Sequence, residues 1–345
     1  MRLPLPAIRI PAPTRRLFTA VCLLLGMLLA YNLLIARAAK TSQRQRMLAK
    51  LERIPPQTDC IFLGNSLVEA GCDMESFLAA WPRSQPPLSP INLALGATSP
   101  VEHYLILKRA LRQPLHLKYL IYGFFDDQLN VAPRGGWSNL LGNRAFSYYF
   151  PDEAASFYAP GSRLKRWELE VVGHIPMLSE RSSFWGKVEM FRRWLGGLGL
   201  PPQKTDRFGR IADFTALEAK DTQSFNRRCQ AVLDRHAGFS APIRAIIRLA
   251  QAHGARVILL EMPLPSRHRK LFYASPDWLR LRAYLQTLAR QDQADYLSAS
   301  DWDKDSDFDD ATHLSEAGAK VFSRELAPAI ARIRSTSGDL LVEKQ

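Results

Sequence analysis

The feature that most constrains the fold is an uncharged segment of twenty residues, Leu17 to Ala36. As an α-helix rising 1.5 Å per residue it would be about 30 Å long, which matches the hydrocarbon core of a bilayer. We therefore predict a transmembrane helix over residues 17–36. A Pro- and Arg-rich cytoplasmic tail at 1–16 precedes it, a polar helical stalk at 37–53 follows, and residues 54–345 form the folded domain.

The flanking charges leave the orientation of this helix open. Arg15 and Arg16 precede the segment and four Lys or Arg residues follow it by residue 46, so the positive-inside rule is nearly balanced. The short tail favours a signal anchor with the domain on the extracytoplasmic, periplasmic side. Residues 14–18 resemble a twin-arginine signal and residues 36–38 a cleavage site, but the apolar run exceeds the usual length of about 7–15 residues, which favours a retained anchor.

Net charge argues against a nucleic-acid partner. The chain carries +13, but residues 1–53 account for +9 of it and the remainder for only +4. Outside the apolar segment, Cys60, Cys72 and Cys229 permit at most one disulfide, so the fold does not depend on a disulfide framework.

Beyond the stalk, short apolar runs alternate with helical patterns, which is typical of an α/β fold with a parallel sheet. The predicted strands are Cys60 to Leu63, Ile91 to Leu95, Tyr119 to Gly123, Arg256 to Glu261 and Asp295 to Ser298. The predicted helices lie near 100–112, 242–253 and 276–291, with a last one opening near Ser315.

The alternation breaks once, over about 126–241. A structureless loop of that length is improbable, so we predict an inserted helical cap. It holds four of the seven tryptophans and three tyrosines: Trp137, Trp167, Trp185, Trp194, Tyr148, Tyr149 and Tyr158. We favour a core of the cap itself for these aromatic residues over a platform for stacking sugars.

Ser66 follows the first predicted strand in the run Gly64-Asn65-Ser66. The carboxyl ends of parallel strands are where open α/β sheets bind ligands, and the N–H of such a serine faces the cleft beside its hydroxyl. A helix cap explains most serines in this pattern. The run is not the nucleophile elbow of α/β-hydrolases, because Val68 stands where that motif requires glycine.

His313 is a second indication of serine chemistry. Asp310 precedes it by three residues, close enough to hold the imidazole in the tautomer that accepts a proton from a serine. Together, Ser66, His313 and Asp310 predict a nucleophile, a general base and acid, and an orienting carboxylate.

These residues make the chain resemble the SGNH (GDSL-type) hydrolase superfamily. Asp310, His313, Leu314 and Gly318 match its D-x-x-H-L-x-x-x-G motif, and Ser66 matches its opening block. The resemblance covers 60–126 and 256–330. It implies a flavodoxin-like three-layer α/β/α sandwich and an oxyanion hole built from the N–H groups of Ser66 and Gly96.

Two positions depart from the family pattern. Asn65 stands where aspartate is usual, and Phe125 replaces the asparagine that would donate a hydrogen bond to the oxyanion. Losing one such donor typically costs about 10²–10³ in rate. Asn65 and Asn92 are expected to contact the substrate.

Together with the anchor, this pattern is similar to membrane-bound SGNH-like proteins of envelope-polymer modification, such as alginate O-acetyltransferases and the teichoic-acid D-alanylation protein. The resemblance implies O-acylation of an envelope polysaccharide through an acyl-Ser66 intermediate, beside a membrane-bound O-acyltransferase and without a cofactor. Two alternatives stay open: an esterase or deacylase acting on glycans or lipids, and a non-catalytic scaffold supported by Phe125.

The chain contains two further charged runs. Arg267, His268 and Arg269 follow a strand end, where they would bind carboxylate or phosphate on a polymer or else lie in a solvated loop. The acidic run 301–310 suggests calcium, but Ser306 and Thr312 stand where an EF-hand needs glycine and glutamate. We therefore predict no metal and a solvated acidic loop.

Overall fold

The computed structural model describes residues 12–40, 43–130, 147, 150–180 and 219–342. Helix α1 (Ala12–Ala39) contains the predicted apolar segment, and among the described residues it alone is long and apolar enough to span a membrane or to serve as a signal sequence. Helix α2 (Gln43–Glu52) covers the predicted stalk. It is not a free spacer, because Met47 and Leu51 are buried in the core of the domain.

Five parallel strands form one sheet in the order β2-β1-β3-β4-β5. They are β1 (Cys60–Leu63), β2 (Pro90–Asn92), β3 (Tyr119–Phe124), β4 (Arg256–Glu261) and β5 (Asp295–Ser298). This confirms the predicted parallel α/β sheet, with the predicted bounds for β1, β4 and β5. Strand β2 ends at Asn92 instead of Leu95, because the Asn92 side chain accepts a hydrogen bond from the Ala94 N–H and turns the chain.

Helices connect the strands. After β1 come α3 (Ser66–Gly71) and α4 (Met74–Ala79), and α5 (Pro100–Ala110) leads from β2 to β3. Helices α10 (Ala241–Ala252), α11 (Pro276–Gln291) and α12 (Glu316–Val342) complete the fold. Helix α11 has its predicted bounds, with Ser275 capping it and proline at its first position. Helices α3 and α4 pack against α12, and α5 packs against α10 and α2.

The described parts of the predicted cap are helical: α6 (Pro151–Tyr158), α7 (Arg163–Gly173), α8 (Pro176–Ser179) and α9 (Ala219–Asp234). Tyr158 is buried, as expected of a core residue, whereas Trp167 is 60% exposed. The expectations for Trp137, Trp185, Trp194, Tyr148 and Tyr149 lie outside the described residues.

The cap region also contacts the apolar helix. Helix α8 packs against α1, and the Asn32 Oδ1 accepts a hydrogen bond of 2.9 Å from the Met177 N–H. Ile35, one turn further along α1, is fully buried, whereas most leucines of that helix are exposed. The carboxyl-terminal part of α1 is therefore docked on the folded domain.

Two glycines let α3 approach the sheet closely. A Cβ built on Gly64 would lie 2.5 Å from Val68 Cγ2 and 2.8 Å from the Gly123 carbonyl oxygen. A Cβ on Gly123 would overlap Val68 Cγ2 and lie 3.0 Å from Met262 Sδ. Neither position has room for a side chain, so both glycines are required by packing.

Substituting Gly123→Ala should lower the free energy of unfolding by about 1–3 kcal/mol, because the added methyl group overlaps Val68. Thermal unfolding of the full chain in detergent micelles, followed by circular dichroism, measures the loss. Adding Val68→Ala should recover part of it, since that change removes the overlapping Cγ2. An unchanged melting temperature for Gly123→Ala would contradict this account of the packing.

Candidate active site

Ser66 is the first residue of α3 and lies directly beyond β1. Asn65 caps this helix, with its Oδ1 accepting a hydrogen bond of 2.9 Å from the Leu67 N–H. The cap and the tight Gly64 turn fix the direction of Ser66 at the carboxyl edge of the sheet. Its side chain is half-buried, so it remains open to the outside.

His313 lies on the loop that precedes α12. The His313 carbonyl accepts a hydrogen bond of 2.9 Å from the Asp309 N–H, and the Asp307 carbonyl accepts one of 2.8 Å from the Ser315 N–H. Gly318 sits against the Asp307 carbonyl, where a Cβ would collide. These contacts fix the loop to the start of α12. The close approach of the Asp307 carbonyl explains why position 318 is a glycine.

The structure joins the three predicted residues in one hydrogen-bonded chain. His313 Nε2 lies 2.8 Å from Ser66 Oγ, and His313 Nδ1 lies 2.7 Å from Asp310 Oδ2. Because an ionised carboxylate only accepts, Nδ1 must carry the ring proton and Nε2 its lone pair. The Ser66 hydroxyl then donates to Nε2, which is the tautomer a general base requires.

Asp310 is held in the orientation that this chain needs. Its Oδ1 accepts hydrogen bonds of 2.7 Å from the His313 N–H and 2.8 Å from the Thr312 N–H, leaving Oδ2 for the imidazole. Asp310 and His313 are both buried, at 9% and 4% exposure. The Thr312 hydroxyl also donates to Oδ1, at 3.3 Å. A carboxylate that accepts these hydrogen bonds is stable at that depth, and the imidazole cannot rotate away without breaking the pair.

Gly96 does not stand ready as an oxyanion donor in this structure. Its N–H donates to Glu69 Oε2 at 2.6 Å, one turn along α3 from Ser66. A carboxylate on this donor competes with any developing oxyanion, so the predicted hole of Ser66 and Gly96 is only half available. Sequence reasoning missed Glu69, whose only signal was its place three residues after Ser66.

Asn92 is hydrogen-bonded within the fold. Its Nδ2 donates to the carbonyls of Val68 at 3.1 Å and Cys72 at 3.2 Å, and its Oδ1 accepts from the Ala94 N–H at 3.0 Å. It closes the carboxyl end of α3 and ties that helix to β2. These hydrogen bonds give Asn92 a structural role in the fold, and contact with a substrate stays a prediction.

Within residues 267–269, His268 differs from the expectation of a solvated loop. His268 is only 3% exposed, pairs through Nε2 with Asp126 Oδ1 at 2.9 Å, and lies beside the rings of Phe272 and Tyr273. It therefore does not lie in a solvated loop. Arg267 is exposed and Arg269 half-buried, so of the three only these reach solvent.

Buried acidic side chains support the strand ends around this site. Glu261, at the end of β4, is fully buried and accepts hydrogen bonds from Arg282, Tyr296 and Ser298 at 2.7, 3.0 and 2.7 Å. The contacts join β4 to β5 and α11. Glu261 is therefore satisfied within the fold and is not directed at a ligand.

Glu102 has the same role in α5. It is fully buried and accepts hydrogen bonds from Tyr158 at 2.9 Å and Ser147 at 2.7 Å, both in the cap region. The neighbouring His103 is also buried, which lowers its pKa to about 3 and keeps it neutral. Sequence reasoning missed both residues.

The acidic loop is only partly solvated. Asp303 is 4% exposed, and neither of its carboxylate oxygens has a hydrogen-bond partner. Burial raises its pKa to about 7, and the nearby Asp307 and Glu325 add to the effect. Within the described residues, no group of three or more His, Cys, Asp or Glu side chains is arranged to hold a metal ion.

This raised pKa predicts how stability changes with pH. The unfolded chain ionises Asp303 near its ordinary value and the folded chain only near pH 7, so the stabilisation from the neutral form declines as pH rises between the two. Asp303→Asn should therefore raise the melting temperature at about pH 8 and have a smaller effect at about pH 5. Asp301→Asn, at an exposed position, is the control; equal effects at both pH values would contradict the assignment.

Neither a protein-family model nor a curated protein matches the chain. What the site can do therefore rests on its geometry: an oriented serine, histidine and aspartate at the carboxyl edge of a parallel sheet.

Proposed function

We propose that the chain is an SGNH-like serine acyltransferase whose nucleophile is Ser66. The observation that carries the proposal is the continuous chain from Ser66 Oγ through His313 to Asp310, with distances of 2.8 and 2.7 Å. The strand order 2-1-3-4-5 supports the flavodoxin-like three-layer sandwich that this family implies.

The proposed reaction has two halves. As Ser66 Oγ attacks the carbonyl carbon of an acyl donor, His313 Nε2 takes the hydroxyl proton and Asp310 stabilises the resulting imidazolium. The carbonyl oxygen becomes negative and is met by the Ser66 N–H. His313 then gives the proton to the leaving group, and acyl-Ser66 remains.

In the second half an acceptor hydroxyl gives its proton to His313 Nε2 and attacks the acyl carbon. Collapse of the intermediate breaks the bond to Ser66 Oγ, which recovers the proton. With a sugar hydroxyl as acceptor the product is an acylated envelope polysaccharide, and with water the enzyme is an esterase. We favour the sugar, with a membrane-bound O-acyltransferase as the proposed source of the acyl group.

The scaffold alternative has specific support in Phe125, which brings no hydrogen-bond donor, and in Glu69, which occupies the Gly96 N–H. Against it stands the position of the His313 ring, which is hydrogen-bonded to Asp310 on one side and to Ser66 on the other. Asp310 uses one oxygen on backbone N–H groups and the other on the imidazole, an arrangement whose chemical value lies in activating Ser66.

Incubating the full chain in detergent with p-nitrophenyl acetate should place an acetyl group on Ser66, detected by mass spectrometry. Ser66→Ala should abolish the adduct, and His313→Ala should slow it by several orders of magnitude. The double variant should be no worse, because the residues act as one unit. Ser156→Ala, at an exposed serine on α6, is the matched control.

The three functional classes give different outcomes in that experiment. Acetylated glycan after addition of an acceptor polysaccharide supports the transferase, and release of nitrophenol without acceptor but with no glycan product supports the esterase. Neither adduct nor turnover in the wild-type chain would leave the scaffold and overturn the proposal.

The proposed location is the cytoplasmic membrane, with α1 as a single-pass anchor and Ser66 on the extracytoplasmic side. Contact between α8 and the carboxyl-terminal part of α1 supports a domain that lies directly on the membrane surface. That position suits an acyl donor delivered through the bilayer.

Alkaline phosphatase fused after residue 345 should be active in cells, because this reporter folds only after export. A fluorescent cytoplasmic reporter at the same position is the counterpart and should be dark. A silent phosphatase with a bright cytoplasmic reporter would put Ser66 inside the cell and rule out direct modification of an envelope polymer.

A further inference from the structure

Among the residues that the structure describes, the predicted oxyanion hole has no second backbone donor standing ready beside the Ser66 N–H. The Ser66 N–H is one donor of the predicted hole, whereas the Gly96 N–H donates to Glu69 and the Phe125 side chain has no donor. A single donor is a weak oxyanion hole, since each such hydrogen bond contributes about 10²–10³ in rate.

Gln128 carries a side-chain amide beside Asn65. It lies in the turn that follows β3, is half-buried, and its Oε1 accepts a hydrogen bond of 3.4 Å from Asn65 Nδ2. Asn65 immediately precedes Ser66, so the Gln128 side chain reaches from the end of β3 to the residue beside the nucleophile.

The hydrogen bonds around Asn65 decide which end of the Gln128 amide is free. The Leu67 N–H is a donor, so Asn65 must present Oδ1 to it, and Nδ2 is left to face Gln128. Gln128 must then present Oε1 to Nδ2. Its Nε2, the donor end, is the one turned away from Asn65.

The turn that carries Gln128 is held in place. Arg228 forms an ion pair with Asp127 at 2.8 Å, and Asn130 Nδ2 donates to the Gly238 carbonyl at 3.1 Å. Gln128 itself donates its backbone N–H to the Phe125 carbonyl at 3.3 Å. A donor on a fixed turn needs little reorganisation when charge develops on the substrate, which is what an oxyanion hole requires.

We propose that Gln128 Nε2 is the second oxyanion-hole donor and that Asn65 orients it. Gln128 is then a catalytic residue that touches the reacting carbonyl oxygen, and Asn65 is a positioning residue. An aspartate at position 65 would offer two acceptor oxygens and draw Nε2 toward itself. With asparagine at 65, Nε2 instead points away and can replace the donor that is lost with phenylalanine at 125. This inference rests on the proposed function of Ser66.

The test measures the rate at which p-nitrophenyl acetate acetylates Ser66 in the full chain, with kcat and KM determined separately. Gln128→Met keeps the length of the side chain without the donor, and Gln128→Glu keeps its shape but cannot donate when ionised. Each should lower kcat by about 10²–10³ with little change in KM, because the hydrogen bond forms only as the oxyanion develops.

Asn65→Asp should lower kcat in the same direction while Gln128 is intact, and should add little to the loss in Gln128→Met. Gln251→Met is the matched control. Gln251 donates a hydrogen bond to the Asp292 carbonyl, in a part of the chain that is distant in sequence from both Asn65 and Gln128. It should acetylate Ser66 at the wild-type rate. Melting temperatures within a few degrees of wild type for the Gln128 variants separate a catalytic loss from an unfolded loop.

Wild-type kcat in Gln128→Met or Gln128→Glu, with acetyl-Ser66 still formed, would overturn the role of Gln128 and leave the proposed function intact. A raised KM at unchanged kcat would also overturn it, since that result assigns Gln128 to substrate binding. No adduct in the wild-type chain would overturn the proposed function and this inference together.

Discussion

The site depends on the close approach of α3 to the ends of β1 and β3. A helix of six residues is too short to be stable alone, so its position comes from packing. Val68 enters the space left by Gly64 and Gly123, and Asn92 ties the other end of the helix to β2. Ser66 is thereby fixed relative to three strands.

The parallel sheet explains how Ser66 and His313, which are 247 positions apart, come within hydrogen-bonding distance. Strand β1 pairs with both β2 and β3, which places Ser66 between these two strands at the carboxyl edge of the sheet. Helix α12 packs against α3 and α4, and the loop at its start carries His313 to that same edge. The hydrogen bond between Ser66 and His313 therefore depends on the packing of α12 against α3 and α4.

The parts of the fold that the sequence predicted are those with a local signature. The apolar runs of β1 and β4 are buried along nearly their whole length, so their bounds follow from hydrophobicity. The Ser275 cap and the proline after it mark the start of α11 in the same local way. In α2, Met47 and Leu51 stand four residues apart on one helical face, a signal of burial that the prediction of a polar stalk overlooked.

The same distinction between local and tertiary signals applies to the residues of the site. Spacing within one loop brings Asp310 to His313, and this pairing was readable from the sequence. The contacts of Glu69 with Gly96 and of Gln128 with Asn65 join different loops, so they depend on tertiary packing that no local pattern encodes. His268 shows the converse, because its charged neighbours in sequence suggested a surface while the chain buries it against Asp126.

Helix α2 connects the anchor to this site more directly than a spacer would. Lys50 Nζ donates to the Asn92 carbonyl, at the strand end that closes α3. Burial lowers the pKa of Lys50, and the nearby carboxylate of Glu69 partly opposes that effect. The Leu51 carbonyl accepts a hydrogen bond from Gln113, which follows α5. On the proposed topology, the height of Ser66 above the bilayer is thus set by how α2 packs on the domain, since residues 43–52 are not free to extend.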